Sequence, residues 1–380
     1  MYQDFESELN WAMRHMPRTR AAVAALPDLS GVRLACNMHL DLKMAPLVAG
    51  LLDKGAAIYL TTCNPTTVQD DVVAWLERRG AQAHAWRDMS DADWSASFDR
   101  ALAWGPTHLC EMGADLTSRL HQSADGPQII AGLEATGSGI SRLNGMAPRY
   151  PIFNWDDLPV KEGLHNRHMV GLTAWHTFFQ TTHLTLHEKC VLVIGYGLVG
   201  QGVAAAAKAY GGQVIVAEID PARALQARYD GWAVVDLASA VGQADVIATA
   251  TGAKNVLSAQ HLQQAKDGVF ILNVGHVTAE IDVGFLQNLP HSEPMPFVNA
   301  YQLGDKQLYL LANGSMFNLT AGYGDSLNAF DVTLAVMGCT CCRSRPGNRH
   351  CNFFNAGVHP RALAVCAIIS PTEFVTNRLA

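Results

Sequence analysis

Two groups of residues in the 380-residue chain have the types and spacing that catalysis needs. The first is Gly195-Tyr196-Gly197-Leu198-Val199-Gly200, directly after the apolar run CVLVI and at the start of a helical pattern. Glycines at those three places permit a tight turn, a close backbone approach to a pyrophosphate and close helix-strand packing, with the helix N-terminus facing the phosphate charge. Glu218 follows Gly200 by eighteen residues at the end of the next apolar run, where a carboxylate bonds both ribose hydroxyls of NAD. The same acid would repel the extra phosphate of NADP, so NAD is the expected cofactor.

The second group lies near predicted strand ends in the first half: His39 and Asp41, Cys63 and Asn64, Glu111 and Asp115, then Lys161, His165 and Asn166. Taken singly, each reads as a cap or a loop hydrogen bond. Their recurrence at the carboxyl ends of strands marks a ligand site, because open α/β sheets bind ligands there.

The elements that must position both groups are legible as alternation. VRLACN, AAIYLTT, AQAHAW and THLCEM read as strands separated by helical patterns, and the same grammar restarts at CVLVIGYG and continues through QVIVAEID, DVIATATG and GVFILNVG. This predicts two Rossmann-like, doubly wound α/β domains with the active-site cleft between them. The expected boundaries are a substrate-binding domain over 1–168, completed by about 315–337, an NAD-binding domain over 185–310, and an atypical tail over 338–380. A buried linking helix is expected over 170–184 and another helix over 319–337.

Composition bounds the function. With 49% hydrophobic and 16% charged residues the chain is too apolar for disorder and too interrupted by charge for a membrane protein. A formal charge of -7 argues against a nucleic-acid surface and for a small-molecule partner. The opening MYQDFESELNWAMRHMPRTR has no apolar stretch before a cleavage site, so a cytoplasmic protein with reduced thiols is expected. Five of the nine cysteines crowd the tail; the C-x-C-C and H-C spacing there fits a structural zinc site poorly, and no metal is expected.

From about residue 30 to 337 the chain resembles the S-adenosylhomocysteine hydrolase family. The resemblance is carried by NMHLDLKMAPL, CNPTTVQDD, Gly113-Ala114-Asp115-Leu116-Thr117, VIGYGLVGQG, VAEIDPARALQA, ATGAKNVL and LNVGHVTAEIDV. It implies that tightly held NAD oxidises the 3'-hydroxyl of a nucleoside, that the 5'-substituent is eliminated and water added, and that the alcohol is then restored. It further implies a homo-oligomer, dimer or tetramer.

Residue by residue, the resemblance gives His39 the leaving group and water, and places Cys63 and Asn64 at the amino-acid end of the substrate. Lys161 assists oxidation, Asn166 lies near the nicotinamide, His276 beside the reacting ribose, and Asn318 orients the nicotinamide amide. Thr136, Ser138, Thr251, Gly252, Asn255 and Asn273 join the glycine motif as expected cofactor contacts. Expected substrate contacts are Asp41, Lys43, Asn64, Glu111, Asp115, Glu134 and Asp325.

Several of these positions depart from the family pattern. Met112 stands where the family has a catalytic aspartate, and Ala135 where it has a ribose-binding glutamate. His165 replaces an aspartate, Asp325 replaces a histidine near the adenine, and Lys43 replaces a glutamine or glutamate that reads the adenine amine. Paired carboxylates on a ribose diol discriminate by orders of magnitude, so the departures imply either a changed nucleoside-like substrate or a local shift that uses Glu111 or Glu134 for the lost acids. A divergent true S-adenosylhomocysteine hydrolase, a dehydratase resembling angustmycin A synthase, and a catalytically silent regulatory homologue are the alternatives. The family's C-terminal lysine and tyrosine, which reach a neighbouring subunit's NAD, have no counterpart from Gly338 on.

Overall fold

In the first of two units, short apolar runs become strands because helices on both faces bury them. β1 (Arg33–Asn37), β2 (Ala57–Thr61), β3 (Gln82–Ala83), β4 (His108–Glu111), β5 (Ala131–Glu134) and β6 (Ile152–Asn154) form one parallel sheet in the order β3-β2-β1-β4-β5-β6. Gly55 and Gly80 (φ +90° and +103°) end the helices that precede β2 and β3, a conformation that costs glycine no Cβ clash. The register pairs Asn37 with Thr61 and Glu111, and Glu111 with Glu134, so four polar residues end level along the carboxyl edge. Strand order reverses between β1 and β4, and that switch point is where such sheets hold ligands.

The structure, a computed structural model, describes residues 4–123, 125–276 and 278–341. The expected tail over 338–380 lies largely outside the described residues, beyond the end of the helix Leu327–Cys341. That helix returns to the first unit: the buried Asp331 carboxylate accepts the backbone N–H groups of Arg18 and Thr19, at 3.0 and 2.7 Å, in the first turn of the helix Pro17–Ala24.

The second unit holds β7 (Cys190–Ile194), β8 (Gln213–Ala217), β9 (Ala233–Val234), β10 (Val246–Thr249), β11 (Phe270–Asn273), β12 (His291–Met295), β13 (Val298–Leu303) and β14 (Lys306–Leu311). Their order is β12-β13-β14-β11-β10-β7-β8-β9, parallel except for the antiparallel β12-β13-β14 meander at one edge. Its switch point lies between β7 and β10.

Among the described residues, those up to Lys161 together with those from Phe330 form one unit, and Glu162–Ala329 the other. The linking helix, Val170–Thr182, belongs to the second unit because it packs backbone to backbone on the helix Leu198–Ala209. A Cβ on Gly171 would lie 2.4 Å from the Gly202 carbonyl carbon. Trp175 and Phe178 carry its buried face into the core formed by Val191, Val193 and Val203. The helix expected over 319–337 is broken: Phe317–Thr320 stops, Gly324 turns at φ +69°, and Leu327–Cys341 starts anew.

Candidate active site

At the end of β7 the chain turns through Gly195 (φ +95°), where a Cβ would meet the Ala250 carbonyl oxygen at 2.8 Å. A Cβ on Gly200 would sit 2.0 Å from the Gly195 carbonyl oxygen. Backbone packing thus demands both glycines. Gly197 is different: its φ is -68°, and the nearest atom to a Cβ there is Arg223 Nη1 at 3.8 Å. The space over Gly197 is open, and the helix that follows, from Leu198 through Val199 and Gly200, begins without a side-chain cap. Its first N–H groups are suited to a pyrophosphate, with the Arg223 guanidinium beside them. At the end of β8 the two oxygens of Glu218 accept N–H groups of Tyr196 (2.6 Å) and Asp220 (2.8 Å), which clamps the carboxylate expected to read the ribose.

Across the switch point, the loop after β10 is organised by Glu280, which is fully buried. Its carboxylate accepts the N–H of Thr251 (2.9 Å), the hydroxyl of Thr251 (2.8 Å) and the N–H of Gly252 (2.7 Å). Burial pushes this carboxyl up, and those bonds pull it back. A Cβ on Gly275 would lie 1.8 Å from Glu280 Oε1, so Gly275 is glycine to make room for the acid. Asn273 accepts the Thr249 hydroxyl (3.1 Å) and the Gly275 N–H (2.8 Å) and donates to the Gly314 carbonyl (3.1 Å). Thr251, Gly252 and Asn273, expected as cofactor contacts, are therefore wired first to one another, and Asn255 (φ +54°) donates its N–H to Ala279. Sequence reasoning missed Glu280 and Arg223 as site residues; both stand in motifs that the family resemblance had already singled out.

Whether this unit fits NAD can be tested at Asn318. Its side chain is 2% exposed and its Oδ1 has no hydrogen-bond partner, a state that costs about 1–3 kcal/mol unless a donor arrives. A carboxamide N–H of a nicotinamide is such a donor. The open cradle over Gly197, the clamped Glu218 and this orphaned acceptor together fit the cofactor.

In the same unit His165 Nδ1 is in close ion-pair contact with Asp325 Oδ2, and the Asp325 side chain is 4% exposed. Two departures from the family pattern thus meet in one contact, the imidazole of His165 on the carboxylate of Asp325. Lys161, His165 and Asn166 stand on a single π-helical segment, Lys161–Met169, a form enriched at functional sites. Lys161 Nζ lies 3.4 Å from Asp156 Oδ1 and 5.7 Å from the Trp155 ring. His276 follows the Asn273-Val274-Gly275 turn and is half-buried.

The first unit gathers its residues at the carboxyl edge of its sheet. His39 Nδ1 is 2.8 Å from the Thr67 hydroxyl, which itself donates to the Asn64 carbonyl at 2.8 Å. Nδ1 must therefore be the donor, and the lone pair of neutral His39 falls on Nε2. Asn64 caps the following turn through the Thr66 N–H at 3.0 Å. Lys43 Nζ is salt-bridged to Asp41 Oδ2 at 2.7 Å, and Asp115 to Arg142 at 2.6 Å.

Other expected site residues of this unit have partners within the fold. Glu111 and Glu134, expected to touch substrate, are turned into the fold. Glu134 accepts the N–H groups of Gly113, Ala114 and Thr136 and the hydroxyl of Thr136, and a Cβ on Gly139 would lie 2.2 Å from its carboxyl carbon. Glu111 accepts the N–H groups of Leu116 and Thr117 and the Thr117 hydroxyl. Burial pushes Glu111 up to about 8, helped by the charge of Glu134, and burial pushes Glu134 up to about 7 against the bonds that it accepts. Met112 and Ala135, where the resemblance expects acids, are buried beside them in the sequence. Thr136, expected at the cofactor with Ser138, is committed to Glu134 and caps the helix Gly137–Asn144. Cys63 is 5% exposed, and burial, with the charges of Asp115 and Glu134, pushes its thiol well up, so it carries no thiolate at neutral pH.

Among the described residues no cluster of His, Cys, Asp or Glu could hold a metal ion, and no helix is long and apolar enough to cross a membrane. Two α/β units, one carrying a complete dinucleotide cradle and the other a polar carboxyl edge, define an NAD-dependent enzyme of the two-domain class. The NAD-binding domain of S-adenosyl-L-homocysteine hydrolase matches residues 175–324, and the S-adenosyl-L-homocysteine hydrolase family matches 6–139. The chain is 33% identical over 343 residues to the S-inosyl-L-homocysteine hydrolase of Methanopyrus kandleri, covering 86% of this chain and 80% of that protein. It is 34% identical to the adenosylhomocysteinase of Aeropyrum pernix over 340 residues, 86% of this chain and 82% of the other. The chain belongs to the S-adenosyl-L-homocysteine hydrolase family, is an enzyme of that type, and uses NAD.

Proposed function

We propose that the protein hydrolyses a thioether joining the 5'-carbon of a purine nucleoside to homocysteine, releasing nucleoside and homocysteine with no net change in its NAD. The relatives named above act on the S-inosyl and S-adenosyl forms of that thioether. The observation that carries the reading is the cofactor cradle, in which Gly197 is left open, Glu218 is clamped and Asn318 keeps an unpaired buried oxygen.

When bound, NAD supplies a hydride acceptor for the ribose 3'-hydroxyl and returns the hydride at the end of the cycle. Lys161, oriented by Asp156, assists removal of the hydroxyl proton. His165, whose Nδ1 is held by Asp325, works through Nε2 at the ribose with Asn166 and His276 beside it. His39, whose lone pair lies on Nε2, exchanges the proton between the departing sulfur and the entering water. Cys63 and Asn64 shape the amino-acid end as neutral groups. We further infer a cytoplasmic homo-oligomer, dimer or tetramer, on the strength of the family relationship.

A second reading is favoured by Met112, Glu111 and Glu134. With no carboxylate at 112 and both glutamates committed to the backbone, a reaction that stops at the alkene suits the site, as in a nucleoside dehydratase. Product analysis of the full chain loaded with NAD separates the two. Homocysteine plus saturated nucleoside supports hydrolysis, and a 4',5'-unsaturated nucleoside supports elimination. Absence of thiol release and of cofactor reduction with every nucleoside tried would remove both.

A further inference from the structure

Glu111 ends β4 and Glu134 ends β5, and the two are register partners, so their side chains stand side by side on one face of the sheet at the spacing of neighbouring strands. They are 3% and 1% exposed. Among the described residues neither carboxyl is ion-paired, and the Arg142 guanidinium is taken by Asp115 at 2.6 Å. Two adjacent carboxylates without a cation do not both stay ionised in an apolar interior. Their hydrogen bonds show which acid keeps a proton. Glu134 accepts the N–H groups of Gly113, Ala114 and Thr136 at 3.0, 2.8 and 2.7 Å, and amides only donate, so Glu134 is the anion. Glu111 accepts the Leu116 N–H on Oε2 at 2.7 Å, which leaves Oε1 facing the Thr117 hydroxyl. That hydroxyl lies 2.6 Å from the Tyr150 hydroxyl, and it accepts from a protonated Glu111 as readily as it donates to an ionised one. The order agrees with burial pushing Glu111 up to about 8 and Glu134 up to about 7.

What the pair holds is the turn after β4. Gly113 (φ +112°) and Ala114 (φ +57°) both have positive φ, which is unfavourable for the Cβ of Ala114, and both donate to Glu134. Asp115 follows as the first residue of the helix Asp115–Gln122 and accepts from Asn37 Nδ2 at 3.2 Å, at the end of β1 beside the switch point. We propose that Glu111 and Glu134 share one proton as a pH-sensitive latch. With the proton the turn is locked and Asp115 is set at the ligand edge; without it, two facing charges push Glu134 off the Gly113 and Ala114 amides and release the turn. The proposal rests on the reading of that edge as the substrate site and adds how the site is regulated. The other groups facing the pair keep their charge over the same range. Burial pushes the Cys63 thiol and the Tyr150 hydroxyl up, with help from the neighbouring acids. His121 Nε2 accepts the Arg149 N–H at 3.0 Å, which holds the ring neutral. Asp115 and Asp156, the latter against Gly137, are salt-bridged to Arg142 and Lys161.

Amide hydrogen exchange of the full chain without substrate, corrected for the intrinsic pH dependence of exchange, reads the turn directly. The two ionisations belong to the pair, and the latch is closed between them, near about pH 7.5. From there to about pH 9.5 the wild-type amides of residues 113–117 should lose about tenfold or more of their protection, while those of β1 keep theirs. Glu111→Gln, whose amide donates to Thr117 as the protonated acid does, should keep its protection across the range. Unchanged protection in the wild type, or an equal loss in Glu111→Gln, overturns the latch. A loss shared equally by β1 also overturns it, because that is global destabilisation. Should Glu111→Gln fail to fold, difference infrared spectra of the wild type decide. A protonated-carboxyl stretch that disappears with the same midpoint as the exchange change supports the shared proton, and no such loss overturns it. None of these outcomes touches the hydrolase reading, since no substrate is present. Absence of thiol release from every thioether would remove that reading and leave the exchange result as measured.

Discussion

Substituting alanine at Gly197 separates cofactor binding from folding. The residue already has φ -68°, and an added Cβ meets nothing nearer than Arg223 Nη1 at 3.8 Å, so the folded chain should accept the methyl with a change in Tm of no more than about 2 °C. The methyl would occupy the space through which a pyrophosphate reaches the first N–H groups of the helix Leu198–Ala209. Hydrogen bonds to a charged phosphate are worth about 1.5–3 kcal/mol each, and loss of one corresponds to about 10- to 100-fold in affinity. Gly200→Ala is the contrasting case. Its Cβ would sit 2.0 Å from the Gly195 carbonyl oxygen, where real Cβ atoms keep at least 3.0 Å, so the turn and helix must part by about 1 Å. That variant should lose both NAD affinity and several degrees of Tm. Isothermal titration of NAD into the stripped proteins, with thermal melts on the same samples, gives both numbers. A Gly197→Ala protein that binds NAD within twofold of wild type would refute the placement of the pyrophosphate over that glycine.

Asn318→Leu removes a buried amide whose oxygen has no partner, so the melting temperature of the cofactor-free protein should hold or rise while its NAD affinity falls by about tenfold or more; unchanged affinity by titration would detach Asn318 from the nicotinamide. Glu111, pushed up to about 8 from an ordinary 4.5, makes folding take up a proton, so its contribution is complete below about pH 4.5 and is lost as pH rises through about 8. Wild-type stability should therefore fall over that window by on the order of 5 kcal/mol more than that of Glu111→Gln, and parallel urea curves for the two proteins would contradict it. Asp325→Asn and His165→Asn should each lower kcat, and the exchange His165→Asp with Asp325→His should recover at least tenfold over the product of the two single effects; simple additivity would show that the contact is incidental.

The parts of this molecule that local chemistry dictates were legible in its sequence. Three glycines after an apolar run can be placed before any fold is known because each has its own steric reason, and Glu218 follows from the length of one helix and one strand. What escaped depended on partners distant in the chain. Nothing local says that His165 meets Asp325, or that Glu134 spends its carboxylate on Gly113 and Ala114, since an acid at a strand end looks the same whether it faces a ligand or the backbone. Glu280 was hidden for the same reason: its role becomes visible once the loop after β10 folds over it. The short strands β5 and β6 and the β12-β13-β14 meander lack the apolar length that marks the central strands, and Gly324 ends one helix inside a stretch whose periodicity suggests a continuous one.

The central claim is that this chain oxidises a nucleoside hydroxyl in order to cleave a thioether. Its most direct test is a rapid-mixing experiment with the NAD-loaded full chain and S-inosyl-L-homocysteine, following absorbance of reduced nicotinamide alongside release of homocysteine thiol. The account predicts a burst of reduced cofactor in less than one turnover, steady thiol release, and loss of the burst in Lys161→Ala. Thiol release with no reduced cofactor at any time, or neither signal with either purine thioether, would contradict it.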